Sequence, residues 1–190
     1  DITVEEMPTG EIAAGAGTGT DGTTLSFSLT ENNYLGRGLI VDTSLEASES
    51  ALRGGISVVN PNYNYSGNSL EYGISSLKTD RPNSGYENTL TQLDIGTRFE
   101  QYDDIFLSPN LELSFDDMTV DGTASDRLKK QAGTFTDLSF GYGIEKDTRD
   151  RRFMPTSGSI FGFAQKFPII LEENSSVFNR FTFSKYHSFN

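Results

Sequence analysis

The 190-residue chain contains no cysteine and no tryptophan, and it has a single histidine. Without cysteine, neither a disulfide framework nor a thiolate metal site can form. Any catalytic triad would have to be built around the lone His187, and nothing near it supports one, so we expect a solvated residue there. Basic residues are also scarce: the chain has 15 of them and 27 acidic residues. The resulting net charge of −12 opposes binding to nucleic-acid phosphates.

Long apolar runs are lacking as well. No segment approaches the roughly 20 apolar residues that a membrane-spanning helix needs. The sequence opens at Asp1 without a basic and apolar leader, so we expect either that a leader and upstream domains were removed or that the protein is cytosolic. A membrane-spanning barrel stays open as an alternative, because each of its strands needs only about 9–11 residues with every second one apolar.

What the sequence does contain is period-two alternation along nearly its whole length. The clearest case sets Leu138, Phe140, Tyr142 and Ile144 against Asp137, Ser139, Gly141, Gly143 and Glu145. Successive side chains of a strand point to opposite sides, so each such stretch predicts a strand with one apolar and one polar face. We predict ten strands, at about 10–19, 23–33, 38–47, 51–59, 69–79, 89–101, 105–118, 134–147, 158–167 and 176–187.

Turn residues separate these strands. Asp21-Gly22 suits a tight hairpin, and Asn60-Pro61, Pro82-Asn83 and the stretch from Pro155 to Gly158 mark later junctions. The polar stretch from Thr119 to Gly133 lacks alternation and is expected to be a long, mobile loop. We therefore predict an all-β fold without helices.

Alternation does not by itself distinguish a soluble β-sandwich from a membrane barrel. The sandwich turns its apolar faces toward a core, whereas the barrel turns them toward lipid. Soluble sandwiches are common, so the pattern alone favours them. The length of the strands and the Gly, Asp, Glu and Arg residues on their polar faces shift the balance toward a barrel with a wet interior.

Candidate catalytic and metal-binding patterns are weak. The acidic pairs Asp103-Asp104 and Asp116-Asp117 lack the spacing of a calcium loop, and solvated turn residues explain them better. Gly15, Gly17 and Gly19 resemble a phosphate-binding loop only superficially, because no helix is predicted to follow them. The sequence predicts no enzyme, no catalytic residue, no metal site and no cofactor.

Three segments together resemble the start of the barrel of the BamA family, which assembles proteins in the outer membrane of Gram-negative bacteria. Val4-Glu5-Glu6-Met7-Pro8-Thr9-Gly10 and the glycine-rich strand to Gly19 are similar to the junction between the last periplasmic POTRA domain and barrel strand one. Asn32-Asn33-Tyr34-Leu35-Gly36-Arg37-Gly38 is similar to the family's N-x-L-G-x-G turn. Asp147-Thr148-Arg149-Asp150, Phe153, Pro155-Thr156 and Gly158 are similar to its D-x-R-D…P-T-x-G turn, and Asn60-Pro61 falls where the family has an N-P turn.

The resemblance implies an antiparallel, up-and-down transmembrane β-barrel, of which this chain would supply about ten of sixteen strands. Residues 1–9 would end the periplasmic POTRA region and residues 10–190 would form the first part of the barrel. All motif turns would then lie on the periplasmic rim, with the 119–133 loop outside. The missing POTRA domains and closing strands imply that the chain is part of a larger protein.

Strand one contains mostly Gly and Ala, with Ile12 its only large apolar side chain. We expect it to be the edge that pairs with client strands, through Gly10, Glu11, Ile12, Ala13, Ala14, Gly15, Ala16 and Gly17. The alternative is that its glycines only allow close packing or a bend in the barrel wall. The structural rim turns would contain Asn33, Leu35, Gly36, Gly38, Asn60, Pro61, Asp147, Arg149, Asp150, Pro155, Thr156 and Gly158. We expect Arg149 or Asp150 to pair within the rim.

The implied function is the folding and insertion of other barrel proteins, with unfolded outer-membrane proteins as clients, accessory lipoproteins as partners and no nucleotide cofactor. Three rivals stay open: a TamA-like or two-partner-secretion transporter, a passive porin-like channel, and a soluble β-sandwich binding module. Upstream POTRA repeats would favour assembly, and their absence would favour a channel.

Overall fold

A computed structural model describes residues 8–19, 22–170 and 176–188. It contains one antiparallel sheet of ten strands, in which each strand pairs with the next along the chain. The strands are β1 Gly10–Gly19, β2 Gly22–Tyr34, β3 Leu39–Ser48, β4 Ala51–Tyr63, β5 Asn68–Arg81, β6 Tyr86–Tyr102, β7 Ile105–Val120, β8 Gly133–Asp147, β9 Ser157–Pro168 and β10 Phe178–His187. The predicted all-β class and the up-and-down order are confirmed.

Helical structure is minimal in the described part of the chain. It comprises a one-turn 3-10 helix at Pro82–Ser84 and a four-residue α-helix, α1, at Asp126–Lys129. Ser125 caps α1 by accepting a hydrogen bond from the N–H of Leu128. Within the described ranges, no helix has the length and apolar character needed to cross a membrane.

The two faces of the sheet differ in chemistry. One face, called here the polar face, carries Ser28, Asp42, Ser57, Glu71 and Asp94 on neighbouring strands, and these side chains line one cavity that extends from β2 to β6. Because five strands share this cavity, the sheet curves with its polar face inside. The opposite, apolar face carries Phe27, Leu45, Ile56, Ile74, Leu93, Leu111, Ile144 and Phe161, all of which are exposed.

Burial excludes the soluble β-sandwich interpretation. Among the described residues, the only apolar side chain that is buried is Ala124, and the only polar one is Ser139. A sandwich would cover one face of every strand with a second sheet, but the described strands form a single sheet. Among the described residues, the apolar face therefore has no protein partner, which is the arrangement of a barrel wall that faces lipid.

Antiparallel order gives the sheet two rims. The turns at residues 35–38, 64–67, 103–104 and 148–156 share the rim from which β1 starts, and this is called here the entry rim. The turns at 49–50 and 82–85 and the 121–132 loop share the opposite rim. The prediction that the motif turns lie together, with the long loop opposite, is confirmed.

Several predicted boundaries need correction. Asn60 and Pro61 lie inside β4, at a shift in register between Asn60 and Tyr63, and the turn itself follows at residues 64–67. The predicted 119–133 loop is shorter, at 121–132, because β7 extends to Val120. This loop contains α1, and it contacts the β5–β6 turn through a hydrogen bond from the N–H of Asp121 to the carbonyl of Gly85. Asp21 and the predicted junction residues Val4 to Met7 lie outside the described residues.

Candidate functional site

Strand β1 is held almost entirely by its backbone. It pairs with β2 over its full length, from Gly10 opposite Glu31 to Gly19 opposite Gly22. Its residues are exposed throughout, and Ile12 is its only large apolar side chain. Cross-strand side-chain pairs stabilise sheets by roughly 0.2–1 kcal/mol each relative to Ala–Ala. A strand of glycine and alanine forgoes most of that contribution, and the prediction that β1 is held weakly rests on this argument.

The start of β1 has an additional polar attachment, called here the Thr9 clamp. The Thr9 hydroxyl donates a hydrogen bond to the carboxylate of Glu31. The carbonyl of Thr9 accepts two hydrogen bonds from Asn32, one from the backbone N–H at 3.2 Å and one from Nδ2 at 2.9 Å. One end of β1 is therefore fixed to β2 by side chains, whereas the part from Gly15 to Gly19 depends on main-chain hydrogen bonds.

The turn between β2 and β3 follows directly from the clamp. Glu31 also accepts the N–H of Asn33, at 2.8 Å, and the register of β2 shifts between Glu31 and Tyr34. Leu35 and Gly36 then adopt positive φ angles of 55° and 69°, as a type I′ hairpin turn requires. Asn33 closes the turn, because its Oδ1 accepts the N–H of Gly38 at 2.7 Å.

The turn between β4 and β5 repeats this construction. Asn60 takes the place of Glu31 and accepts the N–H of Asn62 at 3.2 Å, next to the shift in register. Asn64 and Tyr65 have φ angles of 55° and 56°, and Asn62 Oδ1 accepts the N–H of Gly67 at 2.8 Å. The two segments share the pattern Asn-Tyr-x-x-x-Gly. Sequence reasoning missed Asn62, although this repeated pattern would have identified it.

One position differs between the two turns in a way that matters. Asn32 in the first turn corresponds to Pro61 in the second. Proline has no backbone N–H and no amide side chain, so it cannot make either hydrogen bond that Asn32 makes to Thr9. The second turn closes through Asn62 although it has no equivalent of the Thr9 clamp, so the clamp is not needed for hairpin closure. Neither Thr9 nor Glu31 was predicted, because their contact depends on the register of β1 against β2.

The turn between β8 and β9 is bound by its own charged residues. Arg149 donates to both carboxylate oxygens of Asp147, from Nε at 2.8 Å and from Nη2 at 2.7 Å. Asp150 Oδ1 accepts the N–H groups of Thr156 and Ser157, at 3.0 and 3.2 Å, and Oδ2 accepts the Thr156 hydroxyl at 2.6 Å. Predicted rim residues Asp147, Arg149, Asp150 and Thr156 are therefore brought into direct contact.

Electrostatics follow from this geometry. The hydroxyl of Thr156, together with the N–H groups of Ser157 and Thr156, lowers the pKa of Asp150 to about 2. The carboxylate of Asp147 raises the pKa of Arg149 above its usual range, and the ring of Tyr186 on β10 lies 6.0 Å from the guanidinium carbon. Asp147, Arg149 and Asp150 therefore stay charged at neutral pH. Asp147 and Arg149 bind each other, and Asp150 binds Thr156 and Ser157, which indicates a structural role.

Gly158 has the closest backbone approach in this turn. Its φ is +96°, and a Cβ atom there would lie 2.2 Å from the carbonyl oxygen of Thr148. Only glycine fits this position. Pro155, which precedes Thr156, is half-buried and fixes the backbone on the approach to β9.

Charge pairs also cross the polar face. Lys166 Nζ on β9 lies 2.5 Å from Glu112 Oε1 on β7, across β8, where the side chain of Asn110 lies over Gly141. Arg98 Nη2 on β6 lies 2.8 Å from Glu145 Oε1 on β8. Each pair joins strands that are not adjacent in the sheet, so the two ion pairs link the strands of β6–β9 across the polar face.

No chemistry beyond structure is apparent at the other candidate positions. Asp103 and Asp104 lie in the β6–β7 turn, and Asp116 and Asp117 lie in β7 on opposite faces of the sheet. Among the described residues, no group of three or more acidic or histidine side chains is placed to hold a metal ion. Gly15 and Gly17 pair with β2 and precede no helix.

Comparisons with known proteins agree with this geometry. The Omp85 superfamily domain matches residues 33–190. Among solved structures, BamA from Haemophilus ducreyi lacking POTRA domains 1–3 superposes with a TM-score of 0.66 at 16% sequence identity. The match covers 90% of this chain and 35% of that protein, so the chain spans about a third of its length. No curated protein sequence matches the chain.

Proposed function

The chain belongs to the Omp85 superfamily, and we propose that it forms the first part of an outer-membrane barrel that folds and inserts other β-barrel proteins. Members of this superfamily act in the assembly or transport of proteins at the outer membrane rather than in catalysis. The clients would be unfolded outer-membrane proteins, and accessory lipoproteins would be partners, as in the BamA family that the motifs resemble. No nucleotide cofactor is needed, because strand pairing would supply the free energy.

The observation that carries this proposal is the character of β1. Its backbone pairs with β2 on one side, while its other edge carries unpaired main-chain groups in the described part of the chain. An exposed edge of this kind templates an incoming strand through main-chain hydrogen bonds, independently of the client's side chains. In the complete barrel the last strand would cover this edge. The contact between β1 and that last strand is called here the seam.

The Thr9 clamp would determine which end of β1 separates first from β2. The Gly10 end of β1 is fixed by Glu31 and Asn32, whereas the Gly19 end has no side-chain hydrogen bonds among the described residues. Strain on β1 would therefore separate it first near Gly15–Gly19. The fixed end would keep the templating edge in register with β2 while a client strand is added.

The lengths of the turns support an orientation for the barrel. Outer-membrane barrels have short periplasmic turns and longer loops outside. The entry rim has turns at 35–38, 64–67, 103–104 and 148–156, whereas the opposite rim has the 12-residue loop at 121–132. We place the entry rim in the periplasm and the 121–132 loop at the cell surface. A cysteine at Thr123 should then react with an impermeant reagent on intact cells, and one at Arg37 should react only after the outer membrane is opened.

A disulfide lock tests the function directly. In the full-length protein, Ala13→Cys would be paired with a cysteine on the facing residue of the last strand, and client assembly would be compared with and without reductant. Loss of assembly on oxidation, restored on reduction, is the expected result. A matched control lock joins Ala14→Cys to Phe27→Cys, which are direct partners on β1 and β2, and leaves the seam free.

The same lock separates assembly from the two rivals in the membrane. A passive channel would conduct ions equally with the seam locked or open. A transporter would still secrete its substrate through the interior while the seam is locked. Normal client assembly in a barrel shown to be fully locked would refute the proposed mechanism.

A further inference from the structure

The apolar face of β8–β10 is the most aromatic part of the sheet. Phe140 lies 5.4 Å from Phe167, measured between ring centroids, Tyr142 lies 6.0 Å from Phe163, and Phe163 lies 4.8 Å from Phe181. These contacts join three consecutive strands into one aromatic surface. This surface faces lipid, and its margin at the entry rim lies where the barrel wall meets the lipid headgroups.

Two lysines lie at that margin. Lys146 on β8 is opposite Phe161 on β9, and Phe161 is opposite Phe183 on β10. Lys185 lies two residues beyond Phe183, on the same face and toward the same rim. Both lysine side chains are exposed, and neither forms an ion pair with the described residues. With strands about 4.8 Å apart and an offset of two residues along the strands, the two lysine positions lie roughly 12 Å apart across β9.

The adjoining turn adds further cations and apolar groups at its tip. Arg151 and Arg152 are exposed, and Phe153 and Met154 are exposed to 82% and 70%. Arg151 Nε donates to the carbonyl of Met154 at 2.8 Å, which ties the tip together. Of the nearby carboxylates, Asp147 pairs with Arg149 and Asp150 lies 4.0 Å from Arg151, so Arg152 is left without an ion pair among the described residues. The tip is therefore basic, although the chain carries a net charge of −12.

We infer that this margin, formed by Lys146, Lys185, Arg151, Arg152, Phe153 and Met154, binds the headgroups of anionic phospholipids. The lysines would contact a phosphate at the edge of the aromatic surface, because long basic side chains extend from apolar surfaces to the headgroup level. The arginines would add contacts from the turn, and Phe153 and Met154 would enter the interfacial region. The inference needs only a barrel in a membrane and is independent of client assembly.

A lipid is the occupant that fits, because the basic margin continues directly from the face that acyl chains cover. The opposite margin of the same apolar face behaves differently. Its Lys78 is neutralised by Glu87, at 3.0 Å. The two margins therefore differ in charge: the lysine of the opposite margin is paired with a carboxylate, whereas Lys146 and Lys185 are not.

Lipid binding to the folded full-length protein tests the inference. Delipidated protein would be titrated with dioleoyl phosphatidylglycerol or dioleoyl phosphatidylcholine, and the first bound lipid would be followed by native mass spectrometry. Wild-type protein should prefer phosphatidylglycerol. Lys146→Gln/Lys185→Gln should weaken phosphatidylglycerol binding by about fivefold per lost cation and leave phosphatidylcholine binding unchanged. Arg151→Gln/Arg152→Gln should cause a smaller loss in the same direction.

The control removes two lysines elsewhere, as Lys78→Gln/Lys129→Gln, and should keep the wild-type preference. Heat-dependent gel mobility would show that each variant is folded. The inference is overturned if Lys146→Gln/Lys185→Gln retains the full preference, or if the control loses it to the same extent. An equal loss of both lipids in a folded variant would also overturn it, because the site would then recognise no charge.

Discussion

Asn33 and Asn62 occupy the same position in two successive turns of the entry rim, and the Oδ1 of each accepts the N–H of the glycine five residues later, at 2.7 and 2.8 Å. Each turn also has a shift in register just before it and three residues at positive φ within it. The rim is therefore built from a repeated unit. The asparagine that both turns share closes each hairpin. The residue before it, Asn32 in one turn and Pro61 in the other, decides whether the turn also binds Thr9.

The first prediction follows from this equivalence. Asn33→Ala and Asn62→Ala should lower the free energy of unfolding by similar amounts, about 0.5–1.5 kcal/mol each, because each removes one hydrogen bond that closes a type I′ turn. Denaturant titration of the full-length protein in lipid vesicles would measure this. Arg37→Ala is the control, since its exposed side chain forms no hydrogen bond among the described residues. A loss confined to one of the two asparagines would contradict the equivalence.

The second prediction concerns pH. The pKa of Asp150 is lowered to about 2 by the hydroxyl of Thr156 and by the N–H groups of Ser157 and Thr156. Because the folded pKa lies below the unfolded one, the stabilisation is complete above about pH 4 and is lost as the pH falls through about 2. Asp150→Asn should therefore remove part of the loss of stability between pH 4 and pH 2. A pH profile of Asp150→Asn identical to that of the wild type would refute the assignment.

The third prediction tests which face meets lipid. Phe140→Lys and Ile95→Lys place a charge on the apolar face, at a cost of roughly 2–4 kcal/mol near the bilayer midplane. Ser139→Lys and Asp94→Lys place the same group one residue away, on the polar face, and should be milder. Folding yield into vesicles, measured by heat-dependent gel mobility, would compare them. Greater damage from the polar-face variants would reverse the assignment of the two faces.

How far the sequence predicts this structure depends on the range of each interaction. The alternation from Asp137 to Glu145 fixes β8 and its two faces, because period two is a local property of the strand. The turn at residues 35–38 is equally local, since Asn33, Leu35 and Gly36 are close in sequence. Asn60-Pro61 was placed in a turn because the dipeptide commonly occurs there, but the unit needs Asn60 as an acceptor before the turn begins.

Contacts between residues far apart in the sequence could not be predicted from it. The Thr9 clamp joins Thr9 to Glu31 and Asn32, which follow it by 22 and 23 positions in the sequence. A change of one residue in the register of β1 against β2 would abolish it. Likewise, the pair Lys166–Glu112 joins β9 to β7 across β8, which is known only once three strands are aligned. Alternation also could not exclude a second sheet over the apolar face. The exposure of that face in a single sheet excluded it.

The last prediction uses the second turn as a template for changing the first. Asn32→Pro gives the first turn the residue that the second turn has at Pro61, so hairpin closure by Asn33 should survive. The variant removes both hydrogen bonds to the carbonyl of Thr9, which together contribute about 1–3 kcal/mol. Backbone N–H groups of Gly10–Gly17 should then exchange with solvent roughly tenfold faster or more, whereas those of β4 and β5 should not change. Glu31→Gln weakens the acceptor and should have a smaller effect in the same direction. If β1 exchanges at the wild-type rate in Asn32→Pro, the clamp does not control how β1 opens.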